Sequence, residues 1–427
     1  MFDNADVDPH VVAQLMPRGN RGNVLITSRN PNMQQNAYDS EFVEDMEKED
    51  AIALFLKAAF LNESSDQLRL KSEDIVEKLC FLPLAIDQAG AAIASGFCNV
   101  HEYLEKYLMH RDALLDDLWF KGASKYGHAV YGTWDLSFQA IMASITGEGG
   151  TVHTQGAESA ILILQIFAFL HNVNIGEIIF KRAAEASGGS TDFAFSFHKL
   201  LQLDHGAWND LYFREGIRVL LSFSLIKLGK RDMFGNMYSM HALAHSWSQY
   251  RIPGGEKHGM CQSVKTLLCY SIRHSFASKD HAFHQTFVSH IDALINHTVE
   301  LGMNLTDDGD DLNTFARVYY QGGYWEKAEN LYDQLFVKEV KVLGAEHPDT
   351  LEAMGNLAVT FRNQGKWKDA EELEVQVLDM TKRILGAEHP DTLMAMANLA
   401  ATFQSQEKWK DAEELNVQSL DIRNRLT

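Results

Sequence analysis

The segment that decides the fold is LGAEHPDTLEAMGNLAVTFRNQGKWKDAEELEVQVLDMTKRI (343–384), which recurs as LGAEHPDTLMAMANLAATFQSQEKWKDAEELNVQSLDIRNRL (385–426). The two copies are identical at 30 of 42 positions. A weaker copy precedes them, because Trp325, Trp367 and Trp409 follow one another at intervals of 42 residues. Self-similarity at a fixed period of this length is the signature of stacked helical repeats.

Each repeat predicts two helices. Pro348 stands where the first helix begins, since proline suits the first helical turn. Leu351 and Met354 start an apolar stripe at helical spacing, and Gly365 marks the turn because glycine commonly follows a helix end. A second helix follows, with Ala370 and Leu373 on one face. Neither helix can bury its stripe alone, so we expect neighbouring repeats to stack.

The HPDT, NLA and GKW-DAE elements of the repeat resemble the 42-residue tetratricopeptide repeats of kinesin light chains. The resemblance covers residues from about 306 to 427. It implies an α-solenoid of about three helical hairpins that binds a protein partner.

Composition bounds the rest of the chain. The 427 residues predict two to four domains, and only 7 prolines favour a mainly α fold. A net charge of −20 disfavours nucleic acid as a partner. The 4 scattered cysteines indicate a reducing compartment, hence a cytoplasmic protein. The longest apolar run, 160–170, is too short to span a membrane.

The N-terminal part carries other patterns. NVLITSR (23–29) predicts a buried parallel strand, and 46–60 predicts an amphipathic helix. The segment 72–94 predicts two helices with a break near Pro83, and 232–252 predicts a turn, a strand and a helix, as in a winged helix. We therefore expect five parts: a partial nucleotide-binding sheet (1–44), a helical bundle (45–125), a winged-helix-like domain (126–252), a helical connector (253–305) and the repeats (306–427).

Three short segments, in this order, resemble the NB-ARC module of STAND-class NTPases, the regulatory part of NLR immune receptors. They are FDNAD (2–6) with GNVLITSRN (22–30), then FLPLA (81–85), then SMHALAHSW (239–247). Fungal members look most similar, including the TWDLSF segment (133–138). The resemblance implies the remnant of an α/β nucleotide-binding domain followed by its helical and winged-helix parts.

The resemblance also implies a role for four residues. Asp3 would hold Mg²⁺ through its carboxylate, an oxygen ligand suited to that ion. Arg29 would contact the terminal phosphate of ATP, Pro83 would pack against adenine, and His241 would reach the β-phosphate of ADP. Asn4 stands where the family often has a second acid. An amide cannot act as a general base, so we do not expect catalysis.

The phosphate-binding loop of the family, G-x-x-x-x-G-K-[ST], is missing from the sequence. Gly229-Lys230 and Gly365-Lys366 are the only Gly-Lys pairs, and neither has the required neighbours. Backbone N–H groups of that loop supply most of the phosphate cradle. The resemblance therefore implies an N-terminally truncated module that binds ADP or ATP weakly or not at all.

Two functions stay open from the sequence. The first is an NLR-like signalling switch in which nucleotide exchange repacks the domains and the opened form oligomerises. The second is a protein-interaction scaffold that works through its repeats, as a kinesin light chain does. Two of the residues implied in nucleotide binding could instead have structural roles. Pro83 could start a helix, and Arg29 could form a surface ion pair. His241 and His245 share a helical face but lack a third metal ligand.

Overall fold

The computed structural model describes most of the chain, in ranges that end at residue 426. The described residues are 2, 5, 9–17, 23–28, 30–41, 43, 46–62, 66–94, 98–107, 130–146, 152–188, 195–231, 233–272, 278–303 and 309–426. They are mainly helical, as the sequence predicts. They divide into two compact units, one of 1–181 with 189–260 and one of 182–188 with 261–427. The finer five-part division stays a prediction.

The predicted N-terminal strand pairs in parallel but is not buried. The Phe2 N–H donates to Leu25 O and the Thr27 N–H donates to Phe2 O, both at 2.8 Å, around a parallel bridge from Phe2 to Ile26. Val24 is 41% exposed and Leu25 is 59% exposed. The expected burial is therefore wrong. Parallel strands are normally covered on both faces, and these side chains are not covered.

The next helices of the first unit confirm the predicted break near Pro83. In chain order the helices are α1 (Pro9–Leu15), a 3-10 helix (Pro31–Asn36), α2 (Lys48–Ala58), α3 (Asp66–Lys78) and α4 (Pro83–Ala94). Pro83 is the first residue of α4, where its missing N–H leaves no hydrogen bond unmade. The helices α4 and α2 pack tightly at Gly90, because a Cβ added there would lie 2.4 Å from Ala58 Cβ.

We expect Gly90→Ala to lower the free energy of unfolding by about 1–3 kcal/mol, because the added methyl group would overlap α2. Backbone atoms of Ala58 and Ala59 lie 2.9 Å from the added position, so rotamer changes alone cannot relieve the overlap. Urea denaturation measures the loss. Gly259→Ala is the control, since its Cβ would meet nothing within 4 Å. Equal stability of Gly90→Ala and the unmodified chain would contradict this packing.

The rest of the first unit alternates helices with short strands. The elements are α5 (Val130–Thr146), α6 (Val152–Phe167), β1 (Ile175–Gly176), α7 (Glu177–Ser187), α8 (Phe195–Leu200), β2 (Leu203–Asp204), β3 (Ala207–Trp208), α9 (Leu211–Ser222), β4 (Lys227–Leu228), β5 (Met237–Ser239) and α10 (Ala242–Arg251). Residues 182–187 of α7 belong to the second unit. The strand β5 lies between β1 and β4 and is antiparallel to both. The predicted turn at Gly235, strand and helix are confirmed.

The TWDLSF segment on α5 packs against α10. Asp135 accepts a hydrogen bond from Trp247 Nε1 at 3.1 Å and forms an ion pair with Arg251. The Arg251 guanidinium also lies 4.0 Å from the centre of the Phe138 ring. These contacts hold α10 against α5. They also position His241, the residue that precedes α10.

The second unit contains the helical connector and the repeats. Its helices are α11 (Gly254–Ser271), α12 (Ser278–Glu300), α13 (Gly309–Gln321), α14 (Trp325–Val342), α15 (Pro348–Asn363), α16 (Trp367–Ile384), α17 (Pro390–Ser405) and α18 (Trp409–Leu426), where α11 spans the boundary between the units. The helices from α13 to α18 form the predicted hairpins, and Pro348 and Pro390 each begin a helix. A buried ion pair, Lys265 Nζ to Asp311 Oδ2 at 2.6 Å, joins α11 to α13.

Candidate functional site

The LGAEHPDT segment forms the same capped loop in both full repeats. In the first copy His347 Nδ1 accepts a hydrogen bond from the Asp349 N–H at 3.3 Å, and Thr350 Oγ1 donates to Gly344 O at 2.8 Å. Gly344 has a φ of +92°, which favours glycine. The equivalent distances in the next repeat are 3.2 and 2.8 Å. The segment therefore fixes where each first helix begins.

The turn between the two helices of each hairpin also recurs, but the last repeat has a different residue type there. Gly323 and Gly365 have φ values of +79° and +78° there, whereas Glu407 has +61° at the same place in the last repeat. A residue with a side chain at such a positive φ costs roughly 1–2 kcal/mol of stability. Glu407→Gly is therefore expected to raise the free energy of unfolding by about 1 kcal/mol. Thermal denaturation measures the gain, and a lower melting temperature would contradict it.

Side-chain contacts lock consecutive repeats together. Glu329 on α14 accepts hydrogen bonds from Lys366 Nζ at 2.9 and 2.8 Å and from Gln364 Nε2 at 2.6 Å. Partial burial raises the pKa of this carboxyl, but the hydrogen bonds from Lys366 and Gln364 outweigh it, so the pKa lies below its ordinary value. The same contacts recur 42 residues later among Glu371, Lys408 and Gln406.

A second, buried contact joins the two full repeats. Arg362 on α15 donates to Glu374 Oε1 at 3.3 Å and to Asn398 O at 2.9 Å. The Glu374 side chain is 2% exposed and that of Arg362 is 17% exposed. The pKa of the Glu374 carboxyl lies above its ordinary value, because the effect of burial outweighs the opposing effect of the nearby Arg362 charge. The pair holds α15, α16 and α17 in one arrangement.

The first helices of the three hairpins share an open face. Their contacts show that they are neighbours: Asn363 Nδ2 on α15 donates to Tyr320 Oη on α13 at 2.8 Å, and Arg362 reaches Asn398 on α17. On each helix, three residues at spacing i, i+3 and i+7 are exposed or half-buried. We call these nine residues the first-helix face: Asp310, Asn313 and Arg317; Glu352, Gly355 and Val359; Met394, Ala397 and Ala401.

The chemistry of the first-helix face changes from one end to the other. The α13 end is polar and contains Arg317, whose pKa burial lowers. The α17 end has small side chains beside Met394, which is 62% exposed. A Cβ added at Gly355 would meet nothing within 4 Å, so the centre of the face is open. The face also contains the exposed carboxylates Asp310 and Glu352, so the α13 end carries both signs of charge, whereas the α17 end suits apolar side chains of a peptide.

Sequence reasoning missed the first-helix face, although the signal was present. The 42-residue period aligns Asn313, Gly355 and Ala397, and the i, i+3, i+7 spacing places each beside its neighbours on the helix surface opposite the apolar stripe. The sequence does not show that the first helices of successive repeats lie beside one another, because this arrangement arises only when the repeats stack.

The periodic tryptophans lie at another surface. Trp325, Trp367 and Trp409 each begin a second helix and are 39%, 44% and 64% exposed. An open groove of about 1110 Å³ lies beside Trp367 and extends to Gln376 and Lys408. The three indoles are therefore partly or mostly exposed to solvent.

The structure describes two of the four residues that the NB-ARC resemblance implies in nucleotide binding. Asp3 and Arg29 lie outside the described residues. Pro83 begins α4 and is half-buried. His241 caps α10, because its Nδ1 accepts from the Leu243 N–H at 3.2 Å, the role that His347 plays in the repeats. Both α4 and α10 contact α5. These local roles are structural, and the nucleotide roles of all four residues stay predictions.

The described residues contain no group of three or more His, Cys, Asp or Glu side chains placed to hold a metal ion. His245, which shares a helical face with His241, instead places its Nε2 at 3.0 Å from Phe167 O and at 2.8 Å from Leu170 O. Within the same described ranges, every helix is too short or too polar to cross a membrane.

Comparison with known proteins identifies the C-terminal segment. Two tetratricopeptide-repeat models match it, one at 312–349 and 350–391 and the other at 375–425. No curated protein matches the chain. Among solved structures, two from Podosopora anserina, assigned as a kinesin light chain with nearly identical TPR-like repeats, are each 23% identical. They cover 40% of this chain and 90% and 91% of their own, with TM-scores of 0.29 and 0.30.

A third structure, BtubC (BKLC) from P. vanneervenii, is 20% identical and covers 42% of this chain and 67% of its own, with a TM-score of 0.31. The repeat period, the helical hairpins and the two matching models agree with one another on the segment they cover. Residues 312–425 of the chain are tetratricopeptide repeats.

Proposed function

We propose that the chain is a protein-interaction scaffold that binds a peptide segment of a partner through the first-helix face. The observation that carries the proposal is the continuity of this face over α13, α15 and α17. Tetratricopeptide repeats generally bind proteins, which supports the proposal. The ion pairs of Glu329 with Lys366 and of Glu371 with Lys408 support it too, because they hold successive helices in fixed positions before a partner binds.

The full chain can be tested with a displayed library of random peptides. Peptides are selected on the unmodified chain and their affinities are measured by titration. Val359→Arg and Ala397→Arg place a large charged side chain on the first-helix face and are expected to weaken binding at least about tenfold, which is ~1.4 kcal/mol. Val337→Arg is the control, because Val337 is 59% exposed on a second helix.

Two results would contradict the scaffold proposal. The selection could yield no peptide that binds above background. The selected peptides could also bind Val359→Arg and Ala397→Arg as tightly as they bind the unmodified chain, which would place the interaction on another surface. Circular dichroism of each variant separates a lost contact from a lost fold.

A second candidate is a nucleotide-dependent switch of the NLR type, using ADP or ATP with Mg²⁺ and forming homo-oligomers when open. The parallel pairing of Phe2 with Ile26 favours it, because Asp3 and Arg29 stand next in sequence to these paired segments. The winged-helix order around β5 and α10 favours it too, since His241 precedes α10.

Titration of the full chain with a fluorescent ADP analogue and Mg²⁺ tests the switch. Saturable binding that Arg29→Ala and His241→Ala each weaken at least about tenfold would support it. An absence of binding at about 1 mM nucleotide, or binding that both variants leave unchanged, would contradict it. Asp3→Ala with and without Mg²⁺ tests the implied role of this carboxylate in holding the ion.

A further inference from the structure

The second helix α16 begins beside the open groove that lies next to Trp367. This tryptophan, the first residue of α16, is 44% exposed, and Val375 in the same groove is 46% exposed. Trp325 is 39% exposed at the equivalent place one repeat earlier. We call this site the tryptophan groove, whose lining includes Trp367, Lys368, Asp369, Glu372, Val375 and Lys408.

Contacts between two repeats hold the walls of the tryptophan groove in place. Gln406 Nε2 donates to Trp367 O at 2.9 Å and to Glu371 Oε2 at 2.8 Å. Lys408 Nζ donates to the two carboxylate oxygens of Glu371 at 2.9 and 2.7 Å. Both walls are internal to the array of repeats, because they belong to α16 and to the turn that precedes α18. A groove that is already formed spares a ligand the cost of ordering it.

The Trp367 side chain brings both an apolar ring and a hydrogen-bond donor to the tryptophan groove. Within the described ranges, its Nε1–H donates to no other group. Tryptophan is common at binding surfaces because a ligand can cover the ring and accept from the N–H. The ammonium groups of Lys368 and Lys408 add further donors. The groove therefore suits a ligand that carries apolar rings and carbonyl oxygens able to accept hydrogen bonds.

We propose that the tryptophan groove binds a proline-rich segment of a partner protein in the polyproline II conformation. Prolines carry apolar rings and lack an N–H. A polyproline II backbone makes no internal hydrogen bonds, so its carbonyl oxygens remain available to the donors of the groove. Aromatic-lined grooves recognise such segments, because the helix is formed before binding and loses little conformational entropy.

The charges of the tryptophan groove indicate one further feature of the segment. In the part of the chain that the structure describes, Lys408 is paired with Glu371, whereas Lys368, Asp369 and Glu372 form no ion pair. Two of these three charges are negative, so a basic side chain in the ligand complements them. We therefore expect an arginine or lysine next to the prolines. This inference is independent of what the first-helix face binds.

Fluorescence anisotropy of the full chain with a labelled peptide of about ten residues, all prolines except one terminal arginine, tests the proposal. Saturable binding is expected, and Trp367→Ala is expected to weaken it at least about tenfold. Trp367→Phe keeps an apolar ring and removes the donor, so its affinity should lie between the two. Val299→Ala is the control, because Val299 is 73% exposed on α12. Circular dichroism checks that each variant is folded.

Two comparisons distinguish a proline-rich segment from other occupants. A peptide in which glycine and serine replace the prolines keeps the arginine, and we expect it to bind at least about tenfold more weakly. Glu372→Gln is expected to weaken binding of the arginine peptide and to leave that of an arginine-free proline peptide unchanged.

Three results would overturn the proposal. The first is the absence of saturable binding at about 1 mM peptide. The second is a Trp367→Ala variant that binds the proline peptide as tightly as the unmodified chain does. The third is equal affinity for the proline-rich and the glycine–serine peptides, because the groove would then bind any segment with a basic side chain.

Discussion

Replacement of Lys265 by Met is expected to lower the free energy of unfolding of the second unit by about 3–5 kcal/mol. The Lys265 and Asp311 side chains are 3% and 13% exposed, and their charged atoms lie 2.6 Å apart. Loss of the ammonium leaves the Asp311 carboxylate buried without its cation, which accounts for the large cost. Urea denaturation followed by circular dichroism measures the change.

The matched control for Lys265→Met removes both charges. Lys265→Met with Asp311→Leu is expected to recover most of the lost stability, because a buried apolar pair of similar volume replaces a buried ion pair at little cost. A loss below about 1 kcal/mol for Lys265→Met would show that water reaches the carboxylate, and would contradict the burial of this contact.

Replacement of Arg362 by Met is expected to cost about 3 kcal/mol for the same reason, because it leaves Glu374 charged and buried between the two full repeats. Glu374→Gln keeps an oxygen that can accept from Arg362 and removes the buried negative charge. We therefore expect this variant to be at least as stable as the unmodified chain at pH 7. Urea denaturation at pH 7 distinguishes the two, and a Glu374→Gln variant less stable than Arg362→Met would contradict the assignment.

The pH dependence of Glu374→Gln has a definite sign. Burial raises the pKa of Glu374 above its ordinary value of 4.5, so the folded chain retains a proton that the unfolded chain releases. The stability due to this group is fully present below the unfolded pKa and is lost as the pH rises through the folded pKa. The gap in unfolding free energy between Glu374→Gln and the unmodified chain should therefore widen as the pH rises above 4.5. A constant gap would contradict the raised pKa.

The sequence predicts the helices of the repeats well because single residues mark where these helices begin and end. Pro348 and Gly365 mark a helix start and a turn through their own backbone preferences, and both predictions are confirmed. The period then places the equivalent residues of each repeat on equivalent surfaces. The period alone does not predict burial, because Leu420 is 58% exposed whereas its equivalent Leu378 is 7% exposed.

Contacts between distant residues leave no such local signal. Lys265 and Asp311 sit on different helices, and nothing in the pattern around either residue indicates the other. The strand at 23–29 looks buried because it is rich in branched apolar residues, yet Leu25 is 59% exposed, since burial depends on a covering layer that the segment does not encode. His241 also caps α10, a role that the sequence did not predict, and its implied contact with a nucleotide stays a prediction.

The central claim is that the repeats bind a partner peptide on the first-helix face, and a matched pair of substitutions at Gly355 tests it most directly. Gly355→Ala should raise the free energy of unfolding by about 0.5–1 kcal/mol, since glycine weakens a helix interior and the added methyl group meets nothing within 4 Å. Titration calorimetry with a selected peptide should give Gly355→Ala an affinity close to that of the unmodified chain. Gly355→Arg should remain folded and lose at least about tenfold in affinity. Equal affinity of Gly355→Arg and Gly355→Ala for the peptide would contradict the claim.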